Sequence, residues 1–170
     1  MNIKIDFSIV PEVIMKMMDY FATDLRRINH ALKVYSYAKT IGTLEKLTDE
    51  AQYILEISAI LHDIGIKEAE KKHHSTAGHY QEIEGPLVAN VLLKEFAIPE
   101  EILNRIMYLI GHHHSYRRID GIDFQILVEA DFLVNIYEEG MNQNQIDAIF
   151  RKYFKTSAGH SIMKNCYGVN

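Results

Sequence analysis

An all-α fold is what this sequence predicts, and three observations predict it. Apolar residues recur at the three- and four-residue spacing that gathers them on one helix face. Strand-like alternation of period two extends over no useful length. Only three prolines interrupt the 170 residues, so few positions forbid helix. Hydrophobic residues make up 48% and charged residues 24%, an ordinary globular mixture. The length suits one core. Residues 1–170 are therefore expected to form a single domain, a compact bundle of about seven or eight helices with no dividing linker.

The elements follow in order. Pro11 suits the first turn of a helix over residues 11–22. Thr23 or Asp24 can cap a second helix that Gly42 ends, and Thr48 a third that stops near Gly65. Residues 67–81 are polar and are read as irregular. Pro86 stands near the start of the next helix, over 85–98. Pro99 opens another, with Glu100 and Glu101 favouring the dipole of its first turn. "SYRRIDG" is a turn. The most apolar helix spans residues 122–140 and ends at Gly140; two shorter ones, over 142–154 and 157–168, finish the chain.

Composition excludes several classes. A formal net charge of −5 argues against binding a nucleic-acid backbone, which needs a basic footprint. A small phosphorylated substrate needs only a local basic pocket. The lone cysteine, Cys166, rules out an intramolecular disulfide and a cysteine-rich zinc site. No signal peptide and no membrane-length apolar run is evident. A cytoplasmic location is the expectation. No P-loop, HExxH or GxSxG motif occurs.

Polar residues stand where a core should be. Asp131 shares a helix face with Phe124, Leu127, Val128 and Asn135, so a carboxylate interrupts an apolar stripe. It needs a cation, a proton or strong donors. His30 aligns with Val34, Tyr37 and Ile41. His62 and Asp63 end the apolar segment "AQYILEISAIL", where two neighbours about 100° apart can reach one ion beyond the last turn. Imidazole with carboxylate suits borderline divalent ions. His112, His113 and His114 follow another apolar helix.

Taken in order, His30, His62-Asp63 and Asp131 resemble the H…HD…D pattern of the HD superfamily of metal-dependent phosphohydrolases, over about residues 24–139. Small stand-alone bacterial HD proteins are the nearest type. The resemblance implies an HD-like helical core at 24–139 flanked by terminal helices. It implies one or two divalent ions: iron, manganese, cobalt, zinc or nickel, with magnesium as the alternative. His30, His62, Asp63 and Asp131 would hold the first. In the two-metal subset a further ligand, usually histidine, precedes the next helix; Glu84 of "EIEGPLVA" stands there. His113 best matches the second extra position, with His112 and His114 as alternatives. Asp63 would bridge and orient the attacking water, and Lys67, the other catalytic candidate, would help hold the phosphate charge. Arg26, Arg27, Arg117 and Arg118 are candidates for holding phosphate. His73, His74 and His79 match no ligand position and are read as surface residues. The implied activity is hydrolysis of a phosphate ester or anhydride in a nucleotide or other small phosphorylated metabolite. It requires neither a nucleic-acid backbone nor a membrane and permits a homo-oligomer. The alternatives are an HD-fold di-iron oxygenase and a non-catalytic metal-binding sensor.

Overall fold

Side-chain caps set the starts of four α-helices in the computed structural model, which describes residues 5–169. Helix α1 (Val10–Phe21) carries Pro11 in its first turn. Helix α2 (Leu25–Leu44) starts where the Asp24 carboxylate accepts from the Arg27 N–H, and α3 (Asp49–Leu61) where Thr48 accepts from the Ala51 N–H. Helices α4 (Ile66–His73), α5 (Gly78–Leu93), α6 (Glu100–Ile110) and α7 (Ile122–Glu138) follow. Helix α8 (Gln143–Tyr153) begins with a reciprocal Asn142–Gln145 capping box, and α9 (Ser157–Tyr167) with Thr156 as cap. Nine α-helices and no strand occur among the described residues.

Three local expectations change. The ninth helix, α4, lies in the polar stretch read as irregular. Its "KEAEKK" run consists of strong helix formers, with Glu68 in the first turn and Lys71, Lys72 and His73 in the last, the order the helix dipole favours. It needs only Ala69 and part of Ile66 as its apolar face. Helix α5 begins at Gly78, so Pro86 lies inside it rather than near its start. Proline there removes one backbone hydrogen bond, and the packing on both sides carries the helix through. Gly42 does not end α2, which runs on to Leu44.

Helices α3 and α7 are the centre. Every residue from 53 to 61 on α3 is buried, and α7 is buried almost throughout. Helix α2 packs on both, and α6 closes over α3. One hydrophobic cluster runs from Val10 to Val169. A carboxylate on such a helix must find donors. Glu56 takes them from Gln52, Lys39 and Tyr35, and Asp123 from Arg105. Glu129 accepts from Gln125, from the backbone amides of Lys155 and Thr156, and from the Thr156 hydroxyl.

The chain leaves α3 through His62 and Asp63 and turns at Gly65. That turn lies directly against the backbone of α5: a Cβ on Gly65 would stand 2.7 Å from the Gln81 carbonyl oxygen and 2.8 Å from Gly85 Cα. Neither atom belongs to a side chain that could rotate away, so glycine is required by close approach. Gly65→Ala is therefore expected to push the turn off α5 and to destabilise the protein by about 1–3 kcal/mol. Urea unfolding measures the loss; an unchanged midpoint would show that α5 does not set the position of the turn.

Candidate metal centre

Five side chains from four places in the sequence converge at the end of α3. His30 projects from the second turn of α2, His62 and Asp63 from the exit of α3, Asp131 from the middle of α7, and His113 from the turn after α6. The Nε2 atoms of His30 and His62 are 3.2 Å apart. Asp131 Oδ1 lies 3.3 Å from the first and 3.6 Å from the second. Asp63 Oδ2 lies 3.5 Å from the first and 3.6 Å from the second. The other Asp63 oxygen, Oδ1, is 3.2 Å from His113 Nε2.

The outer nitrogens determine what the inner ones can do. His62 Nδ1 meets the Ala59 carbonyl at 2.9 Å, and His113 Nδ1 the Ile110 carbonyl at 2.8 Å. A carbonyl only accepts, so each Nδ1 carries a hydrogen, and the ring in its neutral form turns a bare Nε2 lone pair inward. His30 Nδ1 donates likewise to the Glu138 carboxylate at 2.9 Å, and Lys33 donates to the other oxygen of that carboxylate. Three inward lone pairs and two carboxylates repel one another unless something positive lies between them.

The spacing fits a metal ion. Ligand atoms bound about 2.1 Å from one ion stand about 3.4 Å apart at tetrahedral corners and about 3.0 Å apart along octahedral edges; the nitrogen and oxygen atoms here are 3.2–3.6 Å apart. Two groups of ligand atoms satisfy mutual proximity, one of His30, His62 and Asp63 and another of Asp63, His113 and His114. Asp63 belongs to both. His114 fits the second group chemically as well: its Nε2 is buried without a hydrogen-bond partner, and burial followed by the nearby His113 pushes its pKa down to about 4. It is a neutral imidazole with a lone pair to offer. Its ring packs where Gly78 opens α5, and a Cβ on Gly78 would collide with it.

Other expected site residues are not brought to the centre. Glu84 is buried on α5, but its oxygens take Lys72 Nζ at 2.6 Å and His73 Nε2 at 3.0 Å. Those bonds, from Lys72 first, hold its pKa below the ordinary value. His73 is thus a partly buried partner of Glu84 and stacks on Tyr80; His74 and His79 are exposed. His112 turns outward, its Nδ1 donating to the Tyr108 carbonyl and its Nε2 accepting from Arg118. Lys67 points to α1, where its ammonium donates to the Tyr20 carbonyl at 2.7 Å. Arg26 and Arg27 line a cavity of about 350 Å³ together with His30, Asp63, Asn135 and Glu138. Arg27 is held there by Asp24 and Glu70. Arg117 and Arg118 line a separate cavity beside His114.

Sequence reasoning missed Glu138 and the role of Asn135. Asn135 donates to Asp131 Oδ1 at 2.8 Å. Both lay within reach: Asn135 is one turn and Glu138 two turns beyond Asp131, on the same face of α7. Their value shows only once α2 is known to cross that face.

Comparison with known proteins places the fold. No protein-family model matches the chain, and no curated protein does. Among solved structures it is similar to a crystal structure of a predicted HD superfamily hydrolase from an uncultured Thermotogales bacterium. The TM-score is 0.68 and the identity 21%, covering 94% of this chain and 86% of that one. The HD resemblance read from the sequence is thus supported at the level of fold. No helix among the described residues is long and apolar enough to cross a membrane.

Without a cation, protons do its work. Burial alone would lower the His30 pKa, but the Asp131 hydrogen bond and the charges of Asp63 and Asp131, with Glu138 behind them, raise it from 6.5 to about 9. A group raised on folding adds stability that is complete below its unfolded pKa and lost as pH rises through the folded one. Chelated protein should therefore lose stability between pH 6.5 and about 9, while metal affinity rises over the same interval because the ion displaces that proton. Thermal melts with and without chelator across this range test the opposition; chelated protein equally stable at both ends would contradict it.

Proposed function

We propose that the protein is a metal-dependent phosphohydrolase acting on a small phosphorylated compound. The observation that carries this reading is the set of three imidazoles, each tied through Nδ1 and turned through Nε2 onto Asp63 or Asp131. Carboxylate and carbonyl partners behind ligating histidines are the usual support of a metal site. His30, His62, Asp63 and Asp131 would hold one ion, and Asp63, His113 and His114 a second. When bound, a divalent metal supplies Lewis-acid polarisation of a phosphoryl oxygen and makes water acidic enough to attack at neutral pH.

The remaining work falls to the chain. Asp63 is the most open of the five convergent groups, with a side chain 23% exposed. Burial opposes its charge, but His62 and His113 hold its pKa below the ordinary carboxylate value, so it stays an acceptor able to orient a water beside its Oδ atoms. Arg26 and Arg27 supply positive charge on the wall of the same cavity. The Arg27 guanidinium, fixed between two carboxylates, is pre-placed to meet a phosphate oxygen. Asn135 and Glu138 keep Asp131 and His30 aimed inward. Lys67 is assigned no part, because its ammonium is engaged at Tyr20.

Two measurements test this. Metal-to-protein ratios should fall most for Asp63→Ala, which serves both groups, and partially for His30→Ala and His113→Ala. Glu84→Gln should leave the ratio unchanged. Release of phosphate from a panel of phosphate esters and nucleotides should vanish in chelator and return with manganese, iron or cobalt. Oxygen uptake by the iron-loaded protein without phosphate release from any of them would replace this reading with the oxygenase.

Glu138 gives an independent check. Glu138→Ala removes the acceptor behind His30 without touching an inward-facing atom. Metal affinity should drop about 10–100-fold with the helical content intact. Unchanged affinity in a metal-competition titration would remove Glu138 from the centre.

A further inference from the structure

We infer that the cavity between the Ser115–Ile119 turn and the end of α8 binds a chain of two or more phosphates carrying a planar aromatic ring, as the part of the substrate beyond the bond that is cut. This rests on the phosphohydrolase reading and extends it to substrate class. The cavity measures about 750 Å³, within the roughly 300–1,000 Å³ common for small-molecule sites.

Its charge is the first argument. Arg117, Arg118, Lys152 and Lys155 line it, and no carboxylate does. None of the four makes an ion pair among the described residues, whereas Arg27, Arg105 and Lys72 all do. Four neighbouring cations in a chain of net charge −5 repel one another and focus anions. A single phosphate monoester bears at most two charges; a chain of phosphates matches four cations better.

The floor is the second argument. Tyr116 and Tyr153 line the cavity, and Phe132 stacks beneath Tyr153 with ring centroids 4.7 Å apart and planes at 22°. Tyr116 lies 4.9 Å from Tyr153 and 5.3 Å from Phe132. A backed, half-buried aromatic cluster beside cations is a surface for a flat ring.

The third argument is construction. Glu129 is fully buried on α7, and its partners are the wall of this cavity: the Lys155 amide at 2.7 Å, the Thr156 amide at 3.0 Å, the Thr156 hydroxyl, and Gln125, which also bonds the Tyr153 carbonyl. A buried charge thus fixes the segment that presents Tyr153 and Lys155. Finally, His114 belongs to both the cavity wall and the second group of metal-competent side chains, so the pocket opens beside the centre.

The test uses ADP and inorganic tripolyphosphate, titrated calorimetrically into the full chain in chelator. Both should bind, ADP more tightly, and the Lys152→Ala/Lys155→Ala pair should weaken both at least tenfold. Both lysines are exposed, so the fold should survive, as a thermal melt verifies. Lys71→Ala, an exposed cation away from the cavity, should change neither. Absence of binding, or equal losses in the Lys71 variant, overturns the pocket. Tripolyphosphate binding as tightly as ADP overturns the ring. Turnover by metal-loaded protein is scored separately. Lysine-dependent binding without phosphate release refutes the phosphohydrolase reading alone; release without lysine-dependent binding refutes the pocket alone.

Discussion

Two carboxylates, Asp131 buried on α7 and Asp63 part-buried at the exit of α3, are the constraint on which the rest depends. Both helices are largely buried, and an unpaired charge at Asp131 would cost several kcal/mol. The structure answers with imidazoles rather than with lysine or arginine. That choice has a chemical consequence. An ammonium or guanidinium would cancel the charge permanently and fill the space, as Arg105 does for Asp123. A histidine cancels it only while protonated and otherwise offers a lone pair. The cluster can therefore exchange protons for a divalent ion, and its two charge states are both compatible with the same packing.

Holding that cluster together sets demands far from it. The exit of α3 must reach α2, α7 and the turn after α6 at once, which Gly65 allows by seating the chain on the α5 backbone. The imidazoles must keep their orientation, which Ala59, Ile110 and Glu138 secure from behind. Buried carboxylates elsewhere are closed off one at a time: Glu129 with backbone amides, Asp123 with arginine, Glu56 with glutamine, lysine and tyrosine, and Glu84 with Lys72 and His73. Among the described residues, only at the end of α3 do several imidazoles converge on two carboxylates.

How much of this was legible in the sequence differs by residue. The helices built on long apolar stripes were readable because burial and periodicity agree. Helix α4 was not, since one buried alanine suffices for a short helix whose formation rests on propensity and terminal charge. Pro86 suggested a helix start because proline is usually found there, yet packing from both sides tolerates it in mid-helix. At the centre, His30, His62, Asp63 and Asp131 stood out as polar groups on apolar faces. Glu84 looked equivalent from its place before Gly85-Pro86, and only the position of Lys72 across the α4–α5 pair shows where its charge goes. His114, given as an alternative to His113, comes to the centre beside it because Gly78 leaves room for its ring. Contacts between elements distant in the sequence decide such cases, and a single chain's pattern does not contain them.

The charge map completes the logic. Acidic residues outnumber basic ones, 23 to 18, so a polyanion approaching most of the surface is repelled. Unpaired cations concentrate instead at the Ser115–Ile119 turn and the end of α8, next to His114. Arg26 and Arg27 stand on the other cavity, beside His30 and Asp63. An anion drawn to the Arg26–Arg27 cavity arrives next to Asp63, which would repel it in the metal-free protein; the cavity at the end of α8 has no carboxylate in its wall, so an anion there meets only cations and His114. On the proposed function, a bound divalent ion would reverse the sign of the field at Asp63. Metal occupancy and entry of phosphate into the Arg26–Arg27 cavity would then be coupled through Asp63: the carboxylate that demands a cation would also hold a phosphate off until the cation is there.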